Sequence, residues 1–156
     1  MLRFEEVSAG RGETWSEERR PALCSISLAL GPGEAVALVG RTGAGKSTAI
    51  LAAAGLISPW GGRVTLFGED VRLAARKRPG WLRRRVGVAL QFPERGFFQT
   101  SVRDEIALTC RLLRMPEEET KAGIERALRL CGLGEDVLDR SPFTLSGGEK
   151  RKVALA

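Results

Sequence analysis

The apolar positions of this chain follow two different periods, one before and one after Pro93. In the first part, short apolar runs bounded by glycine and proline predict β-strands at 2–7, 22–30, 34–39, 63–67 and 86–91. The run at 34–39 is nearly continuous and predicts a strand buried in a sheet. A helix is expected from Gly45 to about Ala54. The first part is therefore predicted to be an α/β fold.

Beyond Pro93 the apolar residues recur at helical spacing. Ser101 can cap a helix with an inward stripe of Val102, Ile106, Cys110 and Leu113. Pro116, followed by three glutamates, starts a second helix, and Gly132 ends it. The inward stripe of that helix is Ile124, Ala127, Leu128 and Cys131. We expect a separate helical subdomain here.

A glycine-rich loop with the spacing G-x-x-x-x-G-K-S lies between the strand at 34–39 and the helix that follows it. Its residues are Gly40, Arg41, Thr42, Gly43, Ala44, Gly45, Lys46 and Ser47, with Thr48 next. The glycines allow backbone N–H groups to surround a β-phosphate, and Lys46 can reach the β- and γ-oxygens. The Ser47 hydroxyl can join the shell of a Mg²⁺ ion. Binding of ATP or GTP is expected, with Lys46 as a candidate catalytic residue.

Gln91 stands at the end of the predicted strand at 86–91, where the chain enters the helical part. A neutral amide at this point can complete a Mg²⁺ shell, or orient water and respond to a γ-phosphate. A glutamine at a strand end has no specific meaning by itself. Its position between the phosphate loop and the motif described next makes Gln91 a candidate catalytic and metal-binding residue.

The segment 145–156 begins with Leu-Ser-Gly-Gly-Glu and predicts a helix. Ser146 is a suitable N-cap, and Glu149 follows three residues later, so the two predict a capping box. The start of a helix favours an anion, and Gly147 and Gly148 carry no side chain that would keep a phosphate away. Taken alone, the same pattern is also that of an ordinary capped helix after a loop.

Composition narrows the class of protein. The chain has 156 residues, of which 43% are hydrophobic, as in a soluble globular domain. No apolar run approaches the ~20 residues that a membrane-spanning helix needs, and no signal peptide opens the chain. Its three cysteines are widely spaced and favour a reducing compartment over a disulfide framework or a zinc site. They are Cys24, Cys110 and Cys131.

The net charge of +6 is concentrated in a basic run between residues 72 and 85. Such a run can bind nucleic acid or an acidic membrane surface. A solvated face is the alternative, and it is favoured because Trp81 is the one aromatic residue interleaved with these cations. The run consists of Arg72, Arg76, Lys77, Arg78, Arg83, Arg84 and Arg85.

The three motifs together resemble the nucleotide-binding domain of ABC transporter ATPases. By this resemblance 40–47 is the Walker A loop, Gln91 is the Q-loop glutamine and 145–149 is the signature motif. The strings Gln-Phe-Pro-Glu at 91–94 and Asp-Arg-Ser-Pro-Phe at 139–143 are similar to those of the energy-coupling factor ATPases, which drive importers of vitamins and of cobalt or nickel ions.

The resemblance implies an α/β P-loop NTPase fold of the ABC ATPase type, with part of a RecA-like core. The β subdomain and P-loop core would occupy 1–92, the helical subdomain 93–144 and the signature helix 145–156.

The resemblance also implies a homodimer or heterodimer of nucleotide-binding subunits that encloses two ATP molecules with Mg²⁺. The phosphate loop of one subunit would face the signature motif of the other, so Ser146, Gly147, Gly148 and Glu149 would serve a neighbour's ATP. Loss of the γ-phosphate on hydrolysis would weaken the interface. Residues 92–98 would lie near the groove that receives a coupling helix of the transmembrane subunits. The Phe97-Phe98 pair suits such a contact, and burial is the equal alternative.

The chain departs from the family pattern at two positions that bear on nucleotide. Where an aromatic residue commonly stacks on adenine, this chain has Arg11, and it contains no tyrosine. The guanidinium plane of Arg11 could stack on the base, or Trp15 could reach it. Glu149 stands where the signature more commonly has glutamine. Because glutamate keeps the capping-box geometry, we expect the change to be tolerated.

A further departure concerns hydrolysis. The Walker B aspartate, the catalytic glutamate and the switch histidine of the family are expected beyond Ala156, and the chain contains no histidine. The domain is thus expected to be incomplete, with apolar surface uncovered where the Walker B strand would pack, and the chain alone should hydrolyse almost no ATP.

The leading hypothesis is the ATP-binding subunit of an importer, peripheral at the cytoplasmic face of the membrane. The alternative is a non-catalytic nucleotide-binding regulatory module that a partner chain completes. A P-loop kinase or GTPase with a nucleic-acid surface explains neither Gln91 nor the signature, so no nucleic acid is expected as a partner.

Overall fold

The structure is a computed structural model that describes residues 1–10, 12, 20–89 and 91–156. It divides the chain into two compact units, Met1–Gly87 and Val88–Ala156. Arg11 and Trp15, the residues considered for contact with the base, lie outside the described residues. The described elements of the first unit are β1 (Leu2–Ala9), β2 (Leu23–Leu30), α1 (Lys46–Ala53), β3 (Gly61–Leu66), β4 (Glu69–Asp70), α2 (Val71–Lys77) and α3 (Pro79–Arg83).

The four strands of the first unit form an antiparallel sheet in the order β2-β1-β3-β4. Phe4 of β1 pairs with Leu28 of β2 on one side and with Val64 of β3 on the other. The pairing shifts between Phe4 and Val7, where Glu6 has a φ of 49°. Such a bulge adds one residue to the strand, so that Phe4 and Val7, three positions apart, both enter the buried core.

The sequence predicts strands at 34–39 and 86–91. The described residues of these two segments, which do not include Leu90, form no strand. Val36, Leu38 and Val39 are exposed instead of buried, and Val39 is 93% accessible. A strand needs a hydrogen-bonded neighbour for its backbone groups. The described residues place no strand beside either segment, so these two predictions were wrong.

The helical interpretation of the second unit is confirmed. Its helices are α4 (Val102–Leu112), α5 (Glu117–Cys131) and α6 (Gly147–Leu155), with short 3₁₀ turns at Pro93–Gly96, Glu135–Val137 and Pro142–Thr144. Ser101 caps α4, because its Oγ accepts a hydrogen bond from the Asp104 N–H at 3.1 Å. Gly132 ends α5 with a left-handed φ of 60°. Val102, Ala107, Ile124, Leu128, Val137, Leu145 and Val153 are buried in the core of this unit.

None of the helices in the described ranges combines the length and the apolar content needed to cross a bilayer.

Candidate functional site

The glycine-rich loop leads into α1, whose first residue is Lys46. Gly45 is the N-cap residue of α1, and no side chain caps this helix start. The first four N–H groups of an α-helix have no acceptor within the helix. The N–H groups of Gly45, Lys46, Ser47 and Thr48 are therefore available to an anion, and the positive end of the helix dipole adds to the attraction.

Two glycines of this loop have different structural roles. Gly43 and Gly45 have φ angles of 86° and 84°, which L side chains rarely adopt. A Cβ at Gly45 would lie 2.4 Å from the Ala22 carbonyl oxygen, whereas a Cβ at Gly43 would meet no atom within 4 Å. Gly45 thus allows the loop to pack closely against the backbone at Ala22. Gly43 allows the loop to turn through its left-handed φ, and the space beside its Cα contains no other atoms of the described chain.

The Lys46 ammonium lies across this loop. Its Nζ donates hydrogen bonds to the carbonyl oxygens of Gly40 and Arg41, each at 2.8 Å. Ser47 is exposed on the first turn of α1. An uncapped helix start, a cationic side chain and an exposed hydroxyl are the donor set that nucleotide phosphates with Mg²⁺ require, so the residues present fit that ligand.

Gln91 belongs to the second unit, where its side chain is exposed in a bend. The adjoining Phe92 is 45% accessible, and the Arg95 guanidinium lies over its ring at 4.5 Å. Phe97 and Phe98, which are adjacent in the sequence, have different environments in the structure. Phe97 is buried in the core of the unit at 9% accessibility, whereas Phe98 is 65% exposed.

The backbone that presents Phe98 is held by Glu105, from the first turns of α4. The Glu105 Oε2 accepts hydrogen bonds from the Phe98 N–H at 3.1 Å and from the Gln99 N–H at 2.9 Å. The two N–H groups are thereby satisfied by one carboxylate oxygen. Glu105 thus anchors the backbone of the segment that carries the exposed Phe98.

The capping box predicted at 146–149 forms as expected. The Glu149 N–H donates to Ser146 Oγ at 3.3 Å, and the Ser146 N–H donates to Glu149 Oε2 at 2.8 Å. These two bonds satisfy two of the four orphan N–H groups at the start of α6, which leaves those of Gly147 and Gly148. A Cβ at either glycine would meet no described atom within 4 Å. The helix start is therefore open to an approaching anion.

Two hydrogen bonds with Ser146 hold the pKa of the Glu149 carboxyl below its ordinary value, and the nearby Arg140 acts in the same direction. The Arg140 Nη1 lies 3.2 Å from Glu149 Oε1. The sequence alone did not predict the contact of Arg140 with Glu149, although Arg140 belongs to the Asp-Arg-Ser-Pro-Phe string just before the motif.

The structure groups the candidate residues into two sets. Gly40 to Thr48 share one loop and helix start in the first unit, and Ser146 to Glu149 share another helix start in the second unit, which also contains Gln91. Each set therefore includes N–H groups at a helix start that are suited to phosphate.

Comparison with known proteins places these motifs in a family. The family described as "ABC transporter" matches residues 23–156. The energy-coupling factor transporter ATP-binding protein EcfA2 of Geobacillus kaustophilus is 42% identical over 140 residues, covering 88% of this chain and 48% of the relative. The EcfA2 protein of Acetivibrio thermocellus is 41% identical over 139 residues, with the same coverage of 88% and 48%. The chain thus spans about half the length of the curated relatives it matches.

Solved structures agree with this assignment. CbiO1 of Clostridium perfringens, described as part of the ABC transporter complex CbiONQ, superposes with a TM-score of 0.80 at 28% identity, covering 99% of this chain and 59% of that one. The ATP-binding cassette MJ0796, solved as a dimer in a post-hydrolysis state with ADP and Pi, gives a TM-score of 0.82 at 25% identity, covering 99% and 67%. The predicted fold class is thereby confirmed.

Proposed function

Since this chain belongs to the ABC transporter family of ATP-binding proteins, we propose that it is the ATP-binding, energy-coupling subunit of an importer of the energy-coupling factor type. In this proposal ATP hydrolysis by the full-length dimer drives uptake of a vitamin or a transition-metal ion. The relatives named as energy-coupling factor transporter ATP-binding proteins, and the CbiO1 structure from an ABC transporter complex, support the energy-coupling factor type.

The observation that carries the proposal is the uncapped start of α1 with the Lys46 ammonium beside it. The N–H groups of Gly45 to Thr48 would hold the β-phosphate, and Lys46 would leave the Gly40 carbonyl oxygen to meet the β- and γ-oxygens. Ser47 would hold Mg²⁺, which when bound supplies charge neutralisation at the phosphates. Gln91 is proposed as a metal ligand from the order of the motifs along the chain alone.

The signature helix start would complete the site of a second subunit. Gly147 and Gly148 offer two N–H groups that no residue of the capping box uses, and these would bind the γ-phosphate of the neighbour's ATP. Closure of the dimer then depends on that phosphate, and its loss on hydrolysis weakens the interface. The MJ0796 dimer with ADP and Pi is a precedent for such an assembly in the family.

Contact with the transmembrane subunits is proposed at 92–98, where Phe98 is exposed and its backbone N–H is bound by Glu105. Such a contact would place the subunit peripherally at the cytoplasmic face of the membrane. The catalytic glutamate and switch histidine of the family have no assigned counterpart among these 156 residues, which include no histidine. We therefore expect the 156 residues alone to bind nucleotide weakly and to hydrolyse almost none.

The experiment that tests the proposal is sedimentation of the purified full-length gene product with Mg²⁺ and either a non-hydrolysable ATP analogue, the GTP analogue or no nucleotide. Association that requires the ATP analogue supports the proposal. Binding of nucleotide without any association would favour the non-catalytic regulatory module. Preference for the GTP analogue would contradict the proposal. Steady ATP turnover by the 156 residues alone would contradict the expectation that they hydrolyse almost none.

A further inference from the structure

Glu149 places a negative charge in the first turn of α6, the helix start that receives a γ-phosphate under the proposed function. A carboxylate and a phosphate at one helix start repel each other, and they compete for the same helix dipole. An acidic residue at this position therefore needs a partner that offsets its charge and engages its oxygen atoms.

Arg140 is such a partner. The two carboxylate oxygens of Glu149 have different partners, since Oε2 accepts from the Ser146 N–H at 2.8 Å and Oε1 accepts from Arg140 Nη1 at 3.2 Å. Both oxygens are thus engaged by groups other than the N–H groups of Gly147 and Gly148. The side chains of Arg140 and Glu149 are 42% and 31% exposed, so the pair adjoins the open helix start and is accessible to solvent.

The backbone of Arg140 is itself fixed. Its N–H donates to the Val137 carbonyl oxygen at 3.1 Å, and its carbonyl oxygen accepts from the Val102 N–H at 3.0 Å. The second of these bonds joins it to the first residue of α4. The guanidinium therefore starts from a held position, which lowers the entropy cost of keeping it on Glu149.

We propose that Arg140 is a positioning residue for the signature helix. By neutralising Glu149 and holding its carboxylate toward Ser146, Arg140 keeps the N–H groups of Gly147 and Gly148 able to bind phosphate. This inference rests on the proposed function, because it requires the helix start to meet a nucleotide. It also accounts for how the chain accommodates an acidic residue at this point of the motif.

The test measures the concentration of a non-hydrolysable ATP analogue, with Mg²⁺, that gives half-maximal association of the full-length protein at low salt. Arg140→Gln leaves Glu149 uncompensated and is expected to raise this concentration about three- to tenfold. Arg140→Lys keeps the charge and should stay within about twofold of the unmodified protein. The Arg140→Gln, Glu149→Gln double variant should need less analogue than Arg140→Gln, because it has no charge left to compensate.

The matched control is Arg103→Gln, which removes another exposed ion pair of the same unit, between Arg103 and Asp139 at 3.1 Å. It should leave the half-maximal concentration unchanged. Thermal unfolding of every variant separates loss of fold from loss of phosphate binding.

The inference is overturned if Arg140→Gln behaves like Arg103→Gln. It is also overturned if the double variant is no better than Arg140→Gln, since Arg140 would then contact phosphate directly. Absence of nucleotide-dependent association in the unmodified protein would overturn the proposed function, and the inference with it.

Discussion

The Lys46 ammonium donates a hydrogen bond to the Gly40 carbonyl oxygen at 2.8 Å, so the lysine of the glycine-rich loop is bound to the first residue of that loop. A second bond of the same length, to the Arg41 carbonyl oxygen, completes this bridge between Lys46 and the start of the loop. A charged donor held by two carbonyl oxygens is well solvated by protein. A phosphate bound by Lys46 would therefore have to replace two existing hydrogen bonds, and part of its binding energy would be used for that exchange.

Lys46→Ala removes both the bridge and the charge that would meet the phosphates. Because a hydrogen bond to a charged group contributes about 1.5–3 kcal/mol, ATP affinity should fall at least tenfold. Isothermal titration with ATP and Mg²⁺ measures the change. Lys121→Ala, on the exposed side of α5, is the control and should leave affinity unchanged. Equal affinity of Lys46→Ala and the unmodified protein would exclude 40–47 as the nucleotide site.

Gly45→Ala and Gly43→Ala form a matched pair, because both positions have a left-handed φ but only Gly45 is close to other backbone. Alanine at 43 should cost about 1–2 kcal/mol of the free energy of unfolding, from backbone strain alone. Alanine at 45 adds a clash with the Ala22 carbonyl oxygen and should cost about 2–4 kcal/mol. Urea unfolding followed by circular dichroism measures both. Equal losses would show that the contact with Ala22 is relieved by a small shift of the loop.

Phe97 and Phe98 should respond differently to truncation. Phe97→Ala empties a buried position and is expected to cost about 3–5 kcal/mol of the free energy of unfolding. Phe98→Ala, at an exposed position, should change stability by no more than about 0.5 kcal/mol. Under the proposed function the second variant should lose co-purification with the transmembrane subunits while keeping its fold. Full retention of those subunits by Phe98→Ala would remove Phe98 from the proposed contact.

Ser146→Ala should change how the start of α6 responds to acid. Hydrogen bonds with Ser146 lower the pKa of Glu149 below its ordinary 4.5, so the ionised form stabilises the folded state. That stabilisation is complete at a pH above the pKa of Glu149 in the unfolded chain. It is lost as the pH falls through the lower pKa that Glu149 has in the folded chain. Ser146→Ala should therefore raise the pKa of Glu149 toward 4.5, as measured by carboxyl carbon NMR.

Ser101→Ala is the crossed control, because Ser101 lowers the pKa of Asp104 in the same way at the start of α4. It should raise the pKa of Asp104 toward its ordinary 3.8 and leave that of Glu149 unchanged. A pKa of Glu149 that moves in both variants would mean that the two helix starts are coupled.

Local features of this protein could be predicted from the sequence, and contacts between distant residues could not. The capping box of Ser146 and Glu149 forms as predicted, because three residues of helix geometry determine it. The ion pair of Arg140 with Glu149 depends on how the turn at 142–144 directs the chain, which spacing alone does not specify. The burial of Phe97 against the exposure of Phe98 likewise depends on packing with other helices.

The two wrong strand predictions show the same difference between local features and contacts with distant residues. An apolar run such as 34–39 specifies which side chains avoid water, and this is a local property. Whether the run becomes a strand depends on a neighbour elsewhere in the chain or assembly, which the run itself does not encode.

The exposed segment at 35–39 has a consequence for work with this protein in solution. Ala-Val-Ala-Leu-Val is uncharged, lacks proline and is rich in β-branched residues, the composition that favours intermolecular β-pairing and aggregation. With Val36 59% and Val39 93% accessible, the purified chain should self-associate at high concentration whatever nucleotide is present. Nonspecific self-association should disappear on dilution and should not depend on nucleotide. Both properties must therefore be checked before any oligomer is attributed to ATP.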